Sequence, residues 1–596
     1  MSIFSRNADD QLPEGKRPWR WAILALLALL LVLGGWLGIT ALSAKTSLEQ
    51  ARESAQQVKD ALLKGNSEEA AQRAQTALTQ AQSAQSATRS VPWRIAAAVP
   101  FLGSPFKTGQ QISDVVVGLS SDILKPAAEA GIGLSPTKLY QNGRVDVQLL
   151  RQQEPELVRL SADATRLDEQ AAAIPPAGFV APLDNARTQL QNQTSEIASL
   201  LNNTTLAARI GPSLMGADGP RTYLLAFQTN AEARGTGGLL GGVGVLRFDN
   251  GKPTVEKLAS NVELYKATAA VDLGPEFNEL YGASRPFTDV RNSNQSAHFP
   301  YAAQIWKSMW ERETGEKIDG VIATDPVALS YILGAVGPVT LADGQEVTQD
   351  NVVELTESTA YRMFPKDQNA RKEYLQNIAN AVVQKITGQV KSPGKLLEAL
   401  GRAAGERRIM VWSAVPADQE ILEGTTIGHV IPDDVAPYAQ VVVNNFGGNK
   451  MDYYLKREIE YAADGCNGDI RKSTVTVRLT NTRTDSTADW AAVSQGLPAD
   501  LPIKVPPGSM VSSVKLLATK GATLTSVTAN GQKVVPNREV TENGHPSFEV
   551  QVVIPPDQSG ELSFQLEEPT APGEARVPIQ PLIDNVVPGI SVPTCS

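Results

Sequence analysis

The stretch 221–248 reads RTYLLAFQTNAEARGTGGLLGGVGVLRF, and it decides the central fold of this 596-residue chain. Apolar runs at 223–227 and 243–246 are short, β-prone and bounded by polar residues or glycines, so they predict two buried strands. Residues 230–238 between them form a polar, glycine-rich elbow. Glycine allows the backbone to turn sharply there and to approach a partner closely.

The elbow carries four candidate ligand-binding residues, Asn230, Glu232, Arg234 and Thr236. Together such side chains can hold a cation or an anion. The alternative is a tight strand connection in which Glu232 and Arg234 only pair with each other, as structural ion pairs often do.

The elbow is one of several stretches that together resemble a known protein family. NAEARGTGG is preceded by YLLAFQ and followed, in order, by IDGVIATDPVALSYILGAVGPVTLADG, VWSAVPADQEIL and GNKMDYYL. This series resembles the DUF4012 family, over a span from about residue 92 to the C terminus. The resemblance implies a bacterial, envelope-associated protein, and the family has no established reaction.

The N-terminal region predicts a membrane anchor. Residues 21–42 contain no charge and are rich in Leu and Ala, and about 20 such residues span a bilayer as a helix. Lys16, Arg17 and Arg20 precede them, which predicts a cytoplasmic N terminus and an extracytoplasmic remainder. A cleaved signal peptide is the alternative interpretation.

The length predicts several domains. The pattern is helical up to residue 210, alternates between strands and helices after it, and consists of short strands from residue 451. This order predicts a multidomain α+β protein. Its predicted parts are a cytoplasmic tail (1–18), a single transmembrane helix (19–43), an extracytoplasmic helical stalk or bundle (44–210), a central α/β domain (211–447), a C-terminal all-β sandwich (448–568) and a Pro-rich tail (569–596) that runs extended over the surface.

The composition argues against some classes of binding partner. Lys and Arg number 54 against 64 Asp and Glu, and this net charge of −10 argues against a nucleic-acid partner. Cys466 and Cys595 both fall in the predicted outer part, where oxidation favours a disulfide, although two free thiols remain an alternative. None of the three histidines has a neighbour at zinc-ligand spacing.

Acids and arginines recur in the predicted strand-end loops and on one helix. They are Glu232, Arg234, Asp289, Arg291, Asp325 and Arg371. In open α/β sheets, ligands bind beyond the carboxyl ends of the strands. Carboxylates there can hold Mg²⁺, while arginines bind phosphate oxygens. The alternatives are a helix cap for Asp325, a solvated charge for Arg371 and local loop contacts for Asp289 and Arg291.

A second, remoter resemblance points the same way. The strand that ends near Asp325, the following ALSYILGAVGPV and a later Arg-bearing helix are similar to LytR-CpsA-Psr ligases. That family attaches lipid-pyrophosphate-linked glycopolymers to cell wall with Mg²⁺, acids and arginines. Its acid-and-arginine signature is replaced at the elbow by Asn230-Ala231-Glu232-Ala233-Arg234.

Three functions therefore remain open. The first is an envelope protein that binds a cell-wall glycopolymer or its phosphorylated lipid-linked precursor. The second is a Mg²⁺-dependent phosphotransferase that attaches glycopolymers to the cell wall. The third is a structural or adhesion scaffold of the envelope. Ligand binding by the acids and arginines requires that they converge on one cleft.

Overall fold

The computed structural model describes residues 18–100, 102–130, 136–178, 180–388, 390–485, 491–492, 497 and 505–595, with side chains from residue 32 onward except at 63, 136 and 137. The chain divides into two compact units, which are described separately. Residues 1–138 and 150–209 form the first, and residues 139–149 and 210–596 the second. Residues 1–17, nearly all of the predicted cytoplasmic tail, lie outside the described residues.

The first unit is helical. Its elements, some of which end in the second unit, are α1 (Pro18–Leu63), α2 (Ser67–Thr88), α3 (Val91–Ala97), α4 (Ser104–Gly118), α5 (Lys125–Glu129), α6 (Pro136–Leu139), α7 (Val147–Ala172) and α8 (Ala181–Leu214). Leu157, Leu160 and Leu167 of α7 are fully buried. These leucines recur at helical spacing and therefore form a core face of α7.

Helices α1 and α2 form a hairpin with small side chains between them. Ala51 and Ala61 of α1 are buried, as are Ala74 and Ala81 of α2. Asn66 begins α2, since its Oδ1 accepts from the Glu69 backbone N–H and its Nδ2 donates to the Glu69 carboxylate. Asn66 is therefore the N-cap of α2.

The prediction of a transmembrane helix over 19–43 was wrong. Among the described residues, no helix combines the length and the apolar character that crossing a membrane requires. The apolar run is only the first part of α1, which continues without interruption to Leu63. The later turns of α1 are charged and alanine-rich, and they pack on α2.

The second unit is built on a five-stranded sheet in the order β5-β4-β3-β6-β9. Strands β3 and β6 are parallel, and the other neighbours are antiparallel. In chain order the strands of this part are β1 (Tyr140–Gln141), β2 (Arg144–Val145), β3 (Arg221–Arg234), β4 (Gly237–Asp249), β5 (Lys252–Ser260), β6 (Gly320–Thr324), β7 (Val339–Thr340), β8 (Glu346–Val347) and β9 (Met410–Ser413).

Helices cover this sheet. They are α9 (Gly274–Tyr281), α10 (Phe299–Thr314), α11 (Pro326–Val336), α12 (Val352–Glu354), α13 (Ala360–Met363), α14 (Gln368–Thr387), α15 (Pro393–Gly405) and α16 (Pro416–Glu423). Trp306 and Trp310 of α10 are fully buried in one core with Leu224 and Val321 of the sheet. Helix α14 contacts β5 at the sheet edge. The unit is thus a mixed α/β structure up to β9.

The C-terminal part is a sandwich of two sheets, in the orders β10-β13-β17-β16 and β15-β14-β18-β12-β11-β19. Its strands are β10 (Ala439–Asn445), β11 (Leu455–Ala463), β12 (Ile470–Asn481), β13 (Met510–Ala518), β14 (Thr523–Ala529), β15 (Gln532–Val534), β16 (Arg538–Glu542), β17 (His545–Ile554), β18 (Gln558–Pro569) and β19 (Gly589–Ser591). Six of these strands lie where alternating residues predict them.

Two features of the sandwich differ from the sequence-based expectations. Strand β10 was assigned to the central domain, but it pairs along its whole length with β13. All seven of its residues are buried, and a run buried on both faces does not reveal which sheet it joins. The tail after residue 569 does not simply cover the surface, because Gln580 and Leu582 are buried and β19 pairs with β11.

The tail is also fixed covalently. Cys466 and Cys595 form a disulfide across a sequence separation of 129 residues. The predicted disulfide is therefore confirmed. The Asp584 carboxylate adds a buried ion pair with Arg457 of β11, with 2.6 Å between Nη2 and Oδ1.

Candidate functional site

The elbow is the tip of the β3–β4 hairpin, and it contains a bulge. Cross-strand pairing runs to Thr229 opposite Leu239 and resumes at Ala233 opposite Gly238, so residues 230–232 leave the ladder. A bulge of this kind exposes backbone N–H groups and redirects side chains. Gly238 is required there, because a Cβ at this position would collide with the Thr229 carbonyl.

Two buried acids hold the bulge. The Ala231 N–H donates to Glu357 Oε2 at 2.7 Å, and the Ala233 N–H donates to Asp452 Oδ2 at 2.8 Å. Burial raises the pKa of Glu357 to about 8 and that of Asp452 to about 6. At neutral pH Glu357 is therefore mostly protonated, whereas Asp452 is mostly ionised.

Glu232 lies between two cations. Its Oε1 is 2.9 Å from Arg234 Nη2, and its Oε2 contacts the Lys450 ammonium. The three side chains are 10%, 6% and 8% exposed. Burial alone would raise the pKa of Glu232, but Lys450 and Arg234 outweigh it and hold that pKa below its ordinary value. We call Glu232, Arg234 and Lys450 the trio. All three side chains are charged, and together they carry one net positive charge.

Every nitrogen of the Arg234 guanidinium donates a hydrogen bond to another group of the protein. Its Nε donates to the Arg291 carbonyl at 3.0 Å, and Nη1 donates to the carbonyls of Ala233 and Asn445 at 2.9 and 3.1 Å. Together with Glu232, these acceptors occupy all three of its nitrogens. Arg234 therefore positions its neighbours rather than reaching an opening.

Two tyrosines connect the trio to further cations. Lys450 Nζ lies 5.3 Å from the centre of the Tyr361 ring, and Arg371 Cζ lies 5.2 Å from it. On Tyr265, Lys372 Nζ lies 5.0 Å from the ring centre and Arg291 Cζ 5.8 Å. These distances are typical of cation–π contacts. We call Arg234, Arg291, Arg371, Lys372 and Lys450 the cationic cluster.

The cationic cluster carries more positive than negative charge. Its five cations face four ionised carboxylates, Glu232, Asp289, Asp367 and Asp452, and Asp289 pairs with Arg291 at 2.7 Å. Burial, with Arg371 and Lys450 nearby, lowers the pKa of Lys372 to about 8. Burial is the larger cause of this shift, and the positive charges of Arg371 and Lys450 add to it.

Only part of the cationic cluster is accessible. The Arg291 side chain is 58% exposed and the Tyr265 residue 39%, while Lys372 is half-buried. Arg371 and Lys450 lie behind them and are buried. An approaching anion would therefore meet Arg291 and Lys372, both of which lie close to the Tyr265 ring.

An apolar cavity adjoins the same lysine. It lies between β3, β4 and β5 of the sheet and α14, and it measures about 860 Å³ including the part open to solvent. Phe227, Val243, Leu375 and Ile378 are among its apolar lining residues. Lys372, Glu357 and Asp325 are among its polar ones. Such a lining, apolar with few polar groups, is typical of small-molecule pockets.

The comparisons with known proteins cover this region in part. Residues 218–361 match the family model described as a protein of unknown function, DUF4012. The chain carries a DUF4012 segment. This match confirms the resemblance seen in the sequence. It includes the hairpin bulge, Tyr265, Glu357 and Tyr361, whereas Arg371, Lys372 and Lys450 lie beyond it.

Two solved structures from Bacillus subtilis are similar to the chain. The transcriptional regulator yvhJ is 12% identical, with a TM-score of 0.19 and coverage of 35% of this chain and 79% of its own. TagV is 11% identical, with the same TM-score and coverage of 35% and 82%. At these scores neither carries an argument about function. No curated protein matches the chain.

The structure brings together five of the eight predicted ligand-binding residues. Glu232 and Arg234 belong to the trio, and Arg291 and Arg371 each lie on one of the two tyrosines. Asp289 is joined to them only through its ion pair with Arg291. Their assignment to ligand binding stays a prediction.

The other three predicted residues have structural contacts. Asn230 Nδ2 donates to the Pro581 carbonyl at 3.0 Å, and Thr236 is bonded to Gln228 and Asn294 inside the hairpin. Asp325 accepts from the Ala328 N–H at 2.8 Å and pairs with Arg408 at 2.9 Å. Asp325 is thus the helix cap of the alternative interpretation, although it also lines the cavity.

Sequence reasoning missed Lys450, Tyr265, Tyr361, Glu357 and Asp452 as site residues. Lys450 and Asp452 stand in GNKMDYYL, one of the stretches that carry the DUF4012 resemblance, so a signal was present for these two. For Tyr265, Tyr361 and Glu357 nothing in the spacing indicated a site.

The residues of this site do not fit a resident Mg²⁺ ion. Over the described part of the chain, no three His, Cys, Asp or Glu side chains come together as a metal would require. Glu232 is bound to two cations and Asp289 to Arg291. A hard divalent cation needs carboxylate oxygens that are available to it.

Proposed function

We propose that this protein binds the phosphorylated head group of a polyprenyl-linked cell-wall glycopolymer precursor outside the cytoplasm. One observation carries the proposal: Lys372 is a member of the cationic cluster and also lines the apolar cavity. A cationic site and an apolar site that share one residue match a ligand with an anionic head and an apolar chain.

The head group would be held by charge. A phosphate between Arg291 and Lys372 would gain charge-assisted hydrogen bonds, which are stronger than neutral ones. Arg371 and Lys450 would add positive potential from behind without direct contact, since both are buried. The first two isoprene units would enter the cavity beside Leu375 and Ile378.

The extracytoplasmic location is part of the proposal and is supported by the disulfide. Structural disulfides form and persist in oxidising compartments such as the outside of the cell membrane. Cys466 and Cys595 join two segments of the sandwich, so the bond belongs to the folded state.

The proposed role is binding and includes no transfer step. Phosphoryl transfer requires metal ions and positive clamps around the phosphate, and a group that orients the nucleophile. The clamps are present in the cationic cluster. Glu232 and Asp289, the carboxylates beside it, are already neutralised by cations.

Three ligands test the proposal by calorimetry on the full chain. Farnesyl diphosphate has both the head and the chain, farnesol has only the chain, and inorganic pyrophosphate has only the head. We expect farnesyl diphosphate to bind at least tenfold more tightly than either partial ligand. Equal binding of farnesol and farnesyl diphosphate, or no binding of the diphosphate, would contradict the proposal.

A further inference from the structure

A second pocket lies between the central part of the second unit and the sandwich. It is bordered by the turn after α9, by Gln295 and by strands β10, β13, β16 and β17. Its volume is about 770 Å³ including the part open to solvent. Unlike the cavity beside α14, it is lined largely by polar side chains.

The lining is rich in groups that both donate and accept hydrogen bonds. Gln295, Asn444 and Gln551 contribute amides, and Ser513 contributes a hydroxyl. A sugar hydroxyl is likewise both a donor and an acceptor, so an amide can satisfy both of its functions. A set of such groups around one cavity suits a polyhydroxyl ligand.

Asn444 is only partly satisfied by the protein. It is 8% exposed, and its Nδ2 donates to the Gln295 carbonyl at 3.0 Å. Among the described residues its Oδ1 accepts no hydrogen bond. A buried acceptor without a donor is costly, so the protein alone does not fully satisfy this amide at the edge of the pocket.

Charges in this pocket are balanced. The Lys515 ammonium is 3.1 Å from Glu542 Oε2, and Arg538 lies opposite Glu549 across the β16–β17 ladder. The Glu549 carboxylate also accepts from Ser513 Oγ at 2.7 Å. The pocket therefore offers polarity without the surplus of positive charge that distinguishes the cationic cluster, which favours an uncharged ligand over a phosphate.

Phe446 supplies an apolar surface at the same pocket. It lines the pocket and is 48% exposed, directly after β10 ends. An exposed aromatic ring offers a flat surface on which the C–H face of a sugar ring can lie while its hydroxyls meet the polar groups. An aromatic beside several amides is thus the combination that a sugar ring requires.

We propose that this pocket binds neutral sugar residues of a glycan. Asn445, which lines it, accepts through its carbonyl from Arg234 of the cationic cluster, so the two sites share a structural connection. The glycan would be the sugar portion of the lipid-linked ligand, and only this identification of the source rests on the proposed function. Sugar binding itself does not.

The test uses the full chain and a panel of neutral trisaccharides built from glucose, galactose, rhamnose or N-acetylglucosamine. We expect at least one to bind, and we expect Phe446→Ala and Gln551→Ala each to weaken that binding at least tenfold. The matched controls, Val535→Ala and Gln532→Ala, change exposed residues outside the pocket and should leave it unchanged. Both test positions are exposed, and unchanged thermal unfolding would show that the variants fold.

Failure of this inference can be told apart from failure of the proposed function. Absence of trisaccharide binding, or equal binding by wild type, Phe446→Ala and Gln551→Ala, would overturn the inference even where farnesyl diphosphate binds. Trisaccharide binding that needs Phe446, without any binding of farnesyl diphosphate, would support the pocket and overturn only the proposed lipid source. The two pocket variants should bind farnesyl diphosphate as wild type does.

Discussion

Arg234 Nη1 donates to the Asn445 carbonyl at 3.1 Å, and this bond joins the hairpin bulge of the central sheet to the end of the first sandwich strand. Arg234 belongs to the cationic cluster, and Asn445 lines the polar pocket. The bond therefore connects the two proposed binding surfaces directly through the protein.

Lys372→Ala should weaken binding of farnesyl diphosphate by an order of magnitude, because one charge-assisted contact is removed. Lys385→Ala on the same helix is the matched control, since Lys385 is exposed and does not line the cavity. Calorimetry measures both. Equal affinities of the two variants would contradict the assignment of Lys372.

Binding should also depend on pH through the same lysine. The pKa of Lys372 is lowered to about 8, so its ammonium is charged at pH 7 and loses its proton as the pH rises through about 8. Affinity for farnesyl diphosphate should fall between pH 7 and pH 9. Lys372→Arg stays charged over this range and should show a flatter profile, and an equally steep profile would contradict the role of Lys372.

Lys450→Met should destabilise the fold by about 3 kcal/mol, because it leaves the buried Glu232 carboxylate with only Arg234 as a cationic partner. Denaturant unfolding measures the change in the free energy of unfolding. The double variant Glu232→Gln, Lys450→Met should recover much of the loss. Lys456→Met changes an exposed lysine of β11 and is the control.

Glu357 predicts a pH-dependent stability. Its folded pKa of about 8 lies above its ordinary value of 4.5, so the folded state holds a proton that the unfolded state has released. The protonated carboxyl therefore stabilises the folded state relative to its ionised form. This stabilisation is fully present below about pH 4.5 and is lost as the pH rises through about 8.

Glu357→Gln should therefore flatten the dependence of unfolding free energy on pH between about 5 and 8, since the amide oxygen can still accept from the Ala231 N–H. The effect is on the order of a few kcal/mol. Glu354→Gln, in the preceding exposed turn, should leave the slope as in wild type. An unchanged slope in Glu357→Gln would show that the carboxyl is ionised in the folded protein.

Reduction of the Cys466–Cys595 disulfide should lower the free energy of unfolding by about 2–5 kcal/mol, because it frees a loop of more than one hundred residues in the unfolded chain. Thermal unfolding with and without dithiothreitol measures the effect. The variant Cys466→Ser, Cys595→Ser should match the reduced protein and respond to no reductant. A full-length chain indifferent to reductant would contradict the prediction.

The sequence by itself determined the local elements. Period-2 alternation identified β11, β12 and β18, and the Asn66–Glu69 pair identified the start of α2, because these signals act over a few residues. It also identified the hairpin at 221–248 and two cysteines that proved able to meet. The apolar run at 19–43 was misleading, since no helix in the described part of the chain has the length and apolar character that a membrane span requires.

Only the tertiary structure decided what the charges do. Lys450 contacts Glu232 across a sequence separation of 218 residues. Glu357 and Asp452 accept hydrogen bonds from the two ends of the bulge, which no local sequence pattern predicts. Local residue spacing cannot predict contacts between side chains that are so far apart in the sequence. The strand β10 was undetermined for a related reason, because a strand buried on both faces fits either sheet until its neighbours are in place.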